Sequence, residues 1–373
     1  MLLKEGQVRI PSGCAIAGIL NQQGEGFDGG KIISCIANMH QRSNGLGGGF
    51  AAYGIYPEFK EHYALHIYFD CKETRANCES YLNKNFNIRL QEPVPVRKHE
   101  RIKDAPIIWR YFAQPKEEKL AYEQLEESEF TARAVMHINA VIPGAFVASS
   151  GHNMGAFKGV GYPEDMGEFF RLEEYKAYLW TAHGRFPTNT PGWWGGAHPF
   201  TLLDWSLVHN GEISSYDTNL RFLQMYGYRC TLQTDTEVIA YSFDLLMRKR
   251  GLSLDETIHV IAAPFWRDIN EEKVKRLRRV YASLLLNGPF SIIVATGNGL
   301  VAVNDRIKLR PLVAARKNEF LYVASEEAAI RVVESNPDEV WSPGGGEPVI
   351  GLLNGREKLL DIPQCNGPAA RTA

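Results

Sequence analysis

The segment from His183 to Glu212 concentrates groups able to hold a small anion. It reads His183-Gly184-Arg185-Phe186-Pro187-Thr188-Asn189, then Ala197-His198-Pro199-Phe200, then Val208-His209-Asn210-Gly211-Glu212-Ile213. An arginine can grip a carboxylate through two parallel hydrogen bonds. The Asn210 amide beside the Gly211 N–H could stabilise an oxyanion, and losing one such donor typically costs about 2.7–4 kcal/mol of barrier. Near the N-terminus, Ser12-Gly13-Cys14-Ala15-Ile16 offers a nucleophile. A free thiol has a pKa of about 8.5 and needs a base near neutrality. If Met1 to Gly13 were removed, the α-amino group of Cys14 would titrate at about 7.7–8.0. It could accept the thiol proton and deliver a proton to a departing amine. Asp235, in Thr234-Asp235-Thr236-Glu237, could bind an ammonium group.

Each residue also has an ordinary use. Cys14 would suit the start of a core strand. Arg185 could form a structural ion pair, and Thr188 could shape a turn after Pro187. Asn-Gly is the strongest short hairpin signal, and an acid in a helix's first turn suits the helix dipole. His183, His198 and His209 have the wrong spacing for a compact metal triad and read as site-lining or structural. Together, however, a nucleophile, a carboxylate clamp, an oxyanion pair and an ammonium acceptor are what is needed to grip an α-amino acid and attack its side-chain amide.

The elements around these residues follow from pattern. Cys14 to Leu20 is an apolar run suited to a buried strand. Ile32, Ile33, Ile36 and Met39 recur at helical spacing. A glycine-rich loop, Gln41 to Gly49, leads to a strand at Phe50 to Tyr56. From about 60 to 135 charge is denser and Pro93, Pro95, Pro106 and Pro115 interrupt regular structure, which predicts an inserted α/β subdomain. Within it His62 to Phe69 reads as a strand and Thr74 to Phe86 as a helix. Strand-like segments return from Ala134 to Ala148. Tyr178 to Thr181 and Leu202 to Val208 bracket the central motif as strands. Thr234 to Glu237 matches a capping box, starting a helix that ends near Gly251. A second helix is expected within Asn270 to Leu286. Ser291 to Val303 reads as a hairpin through Gly297-Asn298-Gly299. Phe320 to Ala324 is a strand, followed by a helix at Ser325-Glu326-Glu327. Clustered strands flanked by helices favour stacked antiparallel sheets over βαβ alternation.

Bulk properties narrow the class. A formal charge of −2 over 373 residues gives no electrostatic case for nucleic acid or membrane binding. Apolar runs fall far short of the roughly 20 residues that span a bilayer. The first thirteen residues lack a signal-peptide pattern, so a cytoplasmic location is expected. The six cysteines form no C-x-x-C pair, and no metal site is expected. Cys35, Cys71, Cys78 and Cys230 read as small buried hydrophobes. Cys365 reads as an exposed residue of the tail.

In order, these segments resemble the class II glutamine amidotransferases, a branch of the N-terminal nucleophile hydrolases. Cys14-Ala15-Ile16-Ala17-Gly18-Ile19 resembles the nucleophile strand. Gln41-Arg42-Ser43 resembles a His-Arg-Gly segment, with departures on both sides of Arg42. Arg185 to Asn189 resembles the glutamine-carboxylate motif, His209 to Glu212 the oxyanion segment, and Thr234 to Glu237 the segment binding the glutamine α-amino group. Asn304-Asp305-Arg306, Arg310-Pro311-Leu312 and Ala324-Ser325-Glu326 resemble later fold signatures. The resemblance implies an α+β, four-layer αββα sandwich of two antiparallel sheets. It makes Cys14, Asn210 and Gly211 catalytic, with Arg185, Thr188 and Asp235 binding glutamine and Arg42 and His198 ordering the site. The implied organisation is a propeptide at 1–13, an amidotransferase domain at 14–360 and a flexible tail at 361–373. The Arg-Phe-Pro-Thr-Asn-Thr run and its following tryptophans most resemble the amidotransferase part of glutamate synthase, especially its stand-alone form. That implies a separate glutamate synthase subunit carrying FMN and iron–sulfur, with no cofactor in this chain. Two alternatives stay open: an unprocessed, inert glutamine-binding or regulatory module, and an ammonia donor to another synthase such as one making N-methylglutamate.

Overall fold

The computed structural model describes residues 13–187 and 192–359. All seven residues of the strand Ala15–Asn21 are buried. Such a run needs cover on both faces, and this strand lies inside a seven-stranded antiparallel sheet. In sheet order its members are Glu339–Trp341, Val313–Lys317, Phe320–Ala324, Ala15–Asn21, Leu179–Gly184, Gly48–Tyr53 and Met154–Gly159. Ala15, Ala17 and Ile19 join the cluster that holds Ile32 and Ile36 of the helix Gly30–Ala37. Ile16 and Leu20 face the other way, into a second cluster with Val208, Ile293 and Leu300. Gly18 lies on this inner face, where a Cβ would stand 3.4 Å from both Ile293 and Leu300.

The second cluster is the filling of the sandwich. Across it lies a five-stranded antiparallel sheet: Phe200–Leu202, Trp205–Gly211, Phe290–Thr296, Gly299–Asn304 and Val349–Leu352. The helix Asp235–Phe243 covers its outer face, while Gly30–Ala37, Pro163–Phe169 and Glu327–Val333 pack around the first sheet. The layers are therefore αββα, an α+β sandwich of two antiparallel sheets between helices. Tyr53 ties the sheets together: its hydroxyl donates to Ser206 Oγ at 2.8 Å, with Ala295 O at 2.9 Å.

A separate four-stranded sheet contains Phe86–Pro93, Ile107–Pro115, Tyr63–Phe69 and Ala145–Ser149 in that order. It spans 63–149, beyond the expected boundary at 135. Of the segment expected to return as strand from Ala134 to Ala148, the end is extended in Ala145–Ser149, but the beginning belongs to the helix Glu127–Val141. Phe130, Ala134 and Ile138 are buried at four-residue spacing, a helical period that outweighs local strand preference.

Other local expectations change in detail. Leu202 to Val208 is not one strand but a hairpin, turning through Leu203 at φ +51. Asn210-Gly211 makes no hairpin; it ends the strand Trp205–Gly211. Thr234 caps its helix by accepting the Thr236 N–H. The capping box stays open, because the Glu237 carboxylate accepts from Thr231 and Leu232 N–H groups instead. That helix continues as a π-helical segment, Asp244–Lys249. Cys71 is exposed at the start of the helix Lys72–Asn85, so it is not a core residue, while Cys230 is half-buried at the edge of the core. Residues 1–12, Thr188 and Cys365 lie outside the described residues.

Tyr53→Phe should lower stability by about 1–3 kcal/mol, because buried partners lose their donor. Urea denaturation measures this, and an unchanged midpoint would mean the hydroxyl does not couple the sheets.

Candidate active site

Antiparallel register builds the site. Ala15 pairs with Gly184, which places Cys14 at the strand's mouth beside Arg185 and Phe186. The Phe186 N–H donates to Cys14 Sγ at 3.3 Å. Arg42 Nε donates to the Cys14 carbonyl at 3.1 Å, while its Nη1 bonds Glu326 at 2.9 Å. Next along the chain, Ser43 Oγ donates to the Arg185 carbonyl at 3.1 Å. The Arg42-Ser43 pair thus holds the main chain of both the nucleophile candidate and the carboxylate-clamp candidate. Arg185 N–H donates to Gly47 O at 2.8 Å, and a Cβ on Gly47 would come within 2.9 Å of Arg185 Cδ. The glycine-rich loop lets the Arg185 stem lie against backbone.

Cys14, Arg185, His198, Gly211, Asp235 and Arg310 line one cavity of about 350 Å³. This is near the small end for ligand sites. Two larger clefts, about 670 and 960 Å³, lie elsewhere, the first against the helices Lys72–Asn85 and Glu127–Val141 and the second beside the strand Ala145–Ser149, and contain none of these residues. Among the described residues, no group of three His, Cys, Asp or Glu side chains could hold a metal ion.

Burial pushes the Cys14 thiol up, only partly offset by the Phe186 N–H and by the charges of Arg185 and Arg310. Left to itself it is a neutral thiol at pH 7. Burial also acts to raise Asp235, but His209 and hydrogen bonds from Ile213 N–H and Thr236 outweigh it and hold this carboxyl below its usual range. It therefore presents a carboxylate, with Oδ2 accepting from Ile213 N–H at 3.0 Å. His198 packs face to face on His183, ring centroids 3.8 Å apart. Burial drives His183 down to about 3 and His198 well below its usual value, so both are neutral. His198 Nε2 and Thr236 Oγ1 are 2.7 Å apart, and His209 Nδ1 lies 3.2 Å from the same hydroxyl. These histidines brace the start of the Asp235 helix from the cavity wall. Behind them, Lys158 Nζ donates to Gly195 O and Pro199 O, both at 3.2 Å, fixing the chain around His198.

Most of the expected constellation meets here. Asn210 differs: fully buried, it lies behind the cavity wall, with Nδ2 donating to Ser325 Oγ at 3.3 Å. Gly211 is at the surface of the cavity, at φ +154, where a Cβ would lie 2.0 Å from Pro289 O. Two contributors escaped sequence reasoning. Arg310 carried no chemical signal because nothing local shows that it approaches Gly13 and Cys14; a Cβ on Gly13 would stand 3.2 Å from its Nη1. Ser325, just before the N-cap of the expected helix Glu327–Val333, also accepts the Ile16 N–H at 3.1 Å.

The family model described as Glutamine amidotransferases class-II matches residues 93–348. The chain belongs to that family. The matched span includes Arg185, Asn210, Gly211 and Asp235 but not Cys14, whose place rests on geometry. An uncharacterized protein of Archaeoglobus fulgidus is 51% identical, with 93% of this chain and 94% of that protein covered. A Methanothermobacter thermautotrophicus protein, provisionally described as a glutamine amidotransferase, is 26% identical over 89% of this chain and 97% of its own. Among solved structures, the glutamine phosphoribosylpyrophosphate amidotransferase of B. subtilis aligns at TM-score 0.45 and 15% identity. That alignment covers 90% of this chain but about half (47%) of that one.

Gly211→Ala forces a side chain into a left-handed backbone against a carbonyl. The expected cost is about 1–3 kcal/mol or more, read as a lower urea midpoint. Wild-type stability would show that this backbone relaxes freely.

Proposed function

We propose that the chain hydrolyses glutamine, forming a cysteinyl thioester on Cys14 and releasing ammonia and then glutamate. The observation that carries this is the meeting of Cys14, Arg185, Asp235 and Gly211 around one small cavity. Arg185 takes the substrate carboxylate and Asp235 its ammonium group; Thr188 adds a contact to the carboxylate end. The Cys14 sulfur attacks the side-chain amide carbon, and the oxygen becomes an anion held by the Gly211 N–H and by the Asn210 amide once its nitrogen gives up the bond to Ser325. Collapse breaks the carbon–nitrogen bond, and ammonia leaves with the former thiol proton. Water then attacks the thioester, giving glutamate and restoring the thiol.

The proton transfer needs a base. The α-amino group of Cys14 supplies it after hydrolysis of the Gly13–Cys14 bond, with 1–13 acting as a propeptide. In the intact chain that nitrogen is a peptide amide and burial keeps the thiol protonated. The same observation supports a second reading, in which the unprocessed chain binds glutamine without turnover.

The ammonia passes to a separate synthase subunit. The Arg185–Thr190 run and the tryptophans after it support a glutamate synthase, with FMN and iron–sulfur on that subunit; an N-methylglutamate synthase would use the same product. No helix among the described residues is long and apolar enough to cross a membrane.

Glutaminase assays of wild type and Cys14→Ala, with the N-terminal mass of each, test the proposal. Cys14→Ala should abolish turnover, and the active wild type should begin at Cys14. Equal activity in both proteins would reject Cys14 as the nucleophile. Arg185→Ala should raise KM for glutamine roughly tenfold to hundredfold, the loss of a charge-assisted hydrogen-bonded clamp.

A further inference from the structure

Asn210 carries an unresolved polar demand. Its side chain is fully buried, yet Oδ1 has no hydrogen-bond partner. A buried carbonyl left in that state is costly. Its other end, Nδ2, donates to Ser325 Oγ at 3.3 Å. Ser325 is also buried, at 1% exposure. Its Oγ accepts the Ile16 N–H at 3.1 Å, and its own N–H donates to Ile16 O at 3.0 Å. Ser325 is therefore fastened to the nucleophile strand two residues from Cys14.

Strand alternation says which way Asn210 projects. Val208 belongs to the cluster between the two sheets, so Asn210, two residues on, shares that face. The flanking residues His209 and Gly211 both reach the cavity.

A hydroxyl has one donor and two acceptor sites. At Ser325 both acceptor sites are occupied, by Ile16 N–H and by the Asn210 amide. Its proton lacks an acceptor within this trio, while Asn210 Oδ1 lacks a donor. A half-turn of the amide answers both, but it moves two N–H donors to the buried position that Oδ1 held, where they then need an acceptor of their own. Ser325 O–H then donates to Oδ1, and both amide N–H groups are released. The two orientations have nearly the same shape, so packing scarcely opposes the turn.

We propose that Ser325 is a positioning residue that fixes the Asn210 amide by holding its oxygen, which leaves the amide nitrogen free to donate to the oxyanion. This rests on the oxyanion role given to Asn210 above. The serine touches neither substrate nor sulfur. It acts by accepting from the nucleophile strand and donating to the amide, so the sulfur's strand and the oxyanion donor move as one unit.

Steady-state glutaminase kinetics of the mature enzyme test this with Ser325→Ala, Asn210→Ala and the double variant. Ser325→Ala should lower kcat by up to about 100-fold, the scale of a misplaced reacting geometry. KM should stay within about twofold, because a donor used only in the transition state leaves ground-state binding alone. In the Asn210→Ala background, Ser325→Ala should change kcat by less than about twofold, since residues acting through one another are not additive. If Ser325→Ala does not fold, Ser325→Cys, similar in size but a weak donor, makes the same comparison. Wild-type kcat in the Ser325 variant, or losses that multiply in the double variant, would overturn the inference. Wild-type kcat in Asn210→Ala would instead remove the oxyanion assignment on which it rests.

Discussion

The site depends on how the backbone at Cys14 is held. Arg42 fastens its carbonyl, the Phe186 N–H meets its sulfur, and the Ala15–Gly184 pairing sets what faces it. Because the strand is buried along its whole length, a one-residue slip would exchange the apolar faces of both clusters. Core packing thus specifies the register, and register specifies which residue stands beside the sulfur. Stability and chemistry share one determinant here.

That arrangement places opposed charges in the lining of one small cavity. Arg185 and Asp235 both line it, one cationic and one held as a carboxylate. An α-amino acid carries the complementary pair. His183 and His198, both neutral, fit this division of labour: they shape the wall, and His198 orients Thr236, while His209 is among the groups that hold Asp235 as a carboxylate. Burial keeps the Cys14 sulfur protonated; under the proposed function, a cut before Cys14 supplies the missing base.

Legibility in the sequence followed the range of the interactions. Cys14, Arg185, Gly211 and Asp235 were readable because each sits in a short local pattern. The Phe290–Thr296 and Gly299–Asn304 hairpin was readable from its central turn. Arg310 and Ser325 were not, since both reach the nucleophile strand only through folding across most of the chain. The helix Glu127–Val141 was missed because its Ala, Val and Ile residues suit either element, and only tertiary burial at four-residue spacing decides. Gln41 and Ser43 looked like departures around Arg42, yet Ser43 fastens the Arg185 carbonyl. Composition alone could not show that.

The most direct measurement is the pH dependence of Cys14 alkylation in two chains, one beginning at Met1 and one at Cys14. In the chain beginning at Met1, half-maximal reactivity should lie above the ordinary thiol value of about 8.5, because burial disfavours the thiolate. In the chain beginning at Cys14 it should fall toward neutrality, as the α-amine takes up the proton. Identical profiles would contradict the claim that the thiol works only beside its own terminal amine.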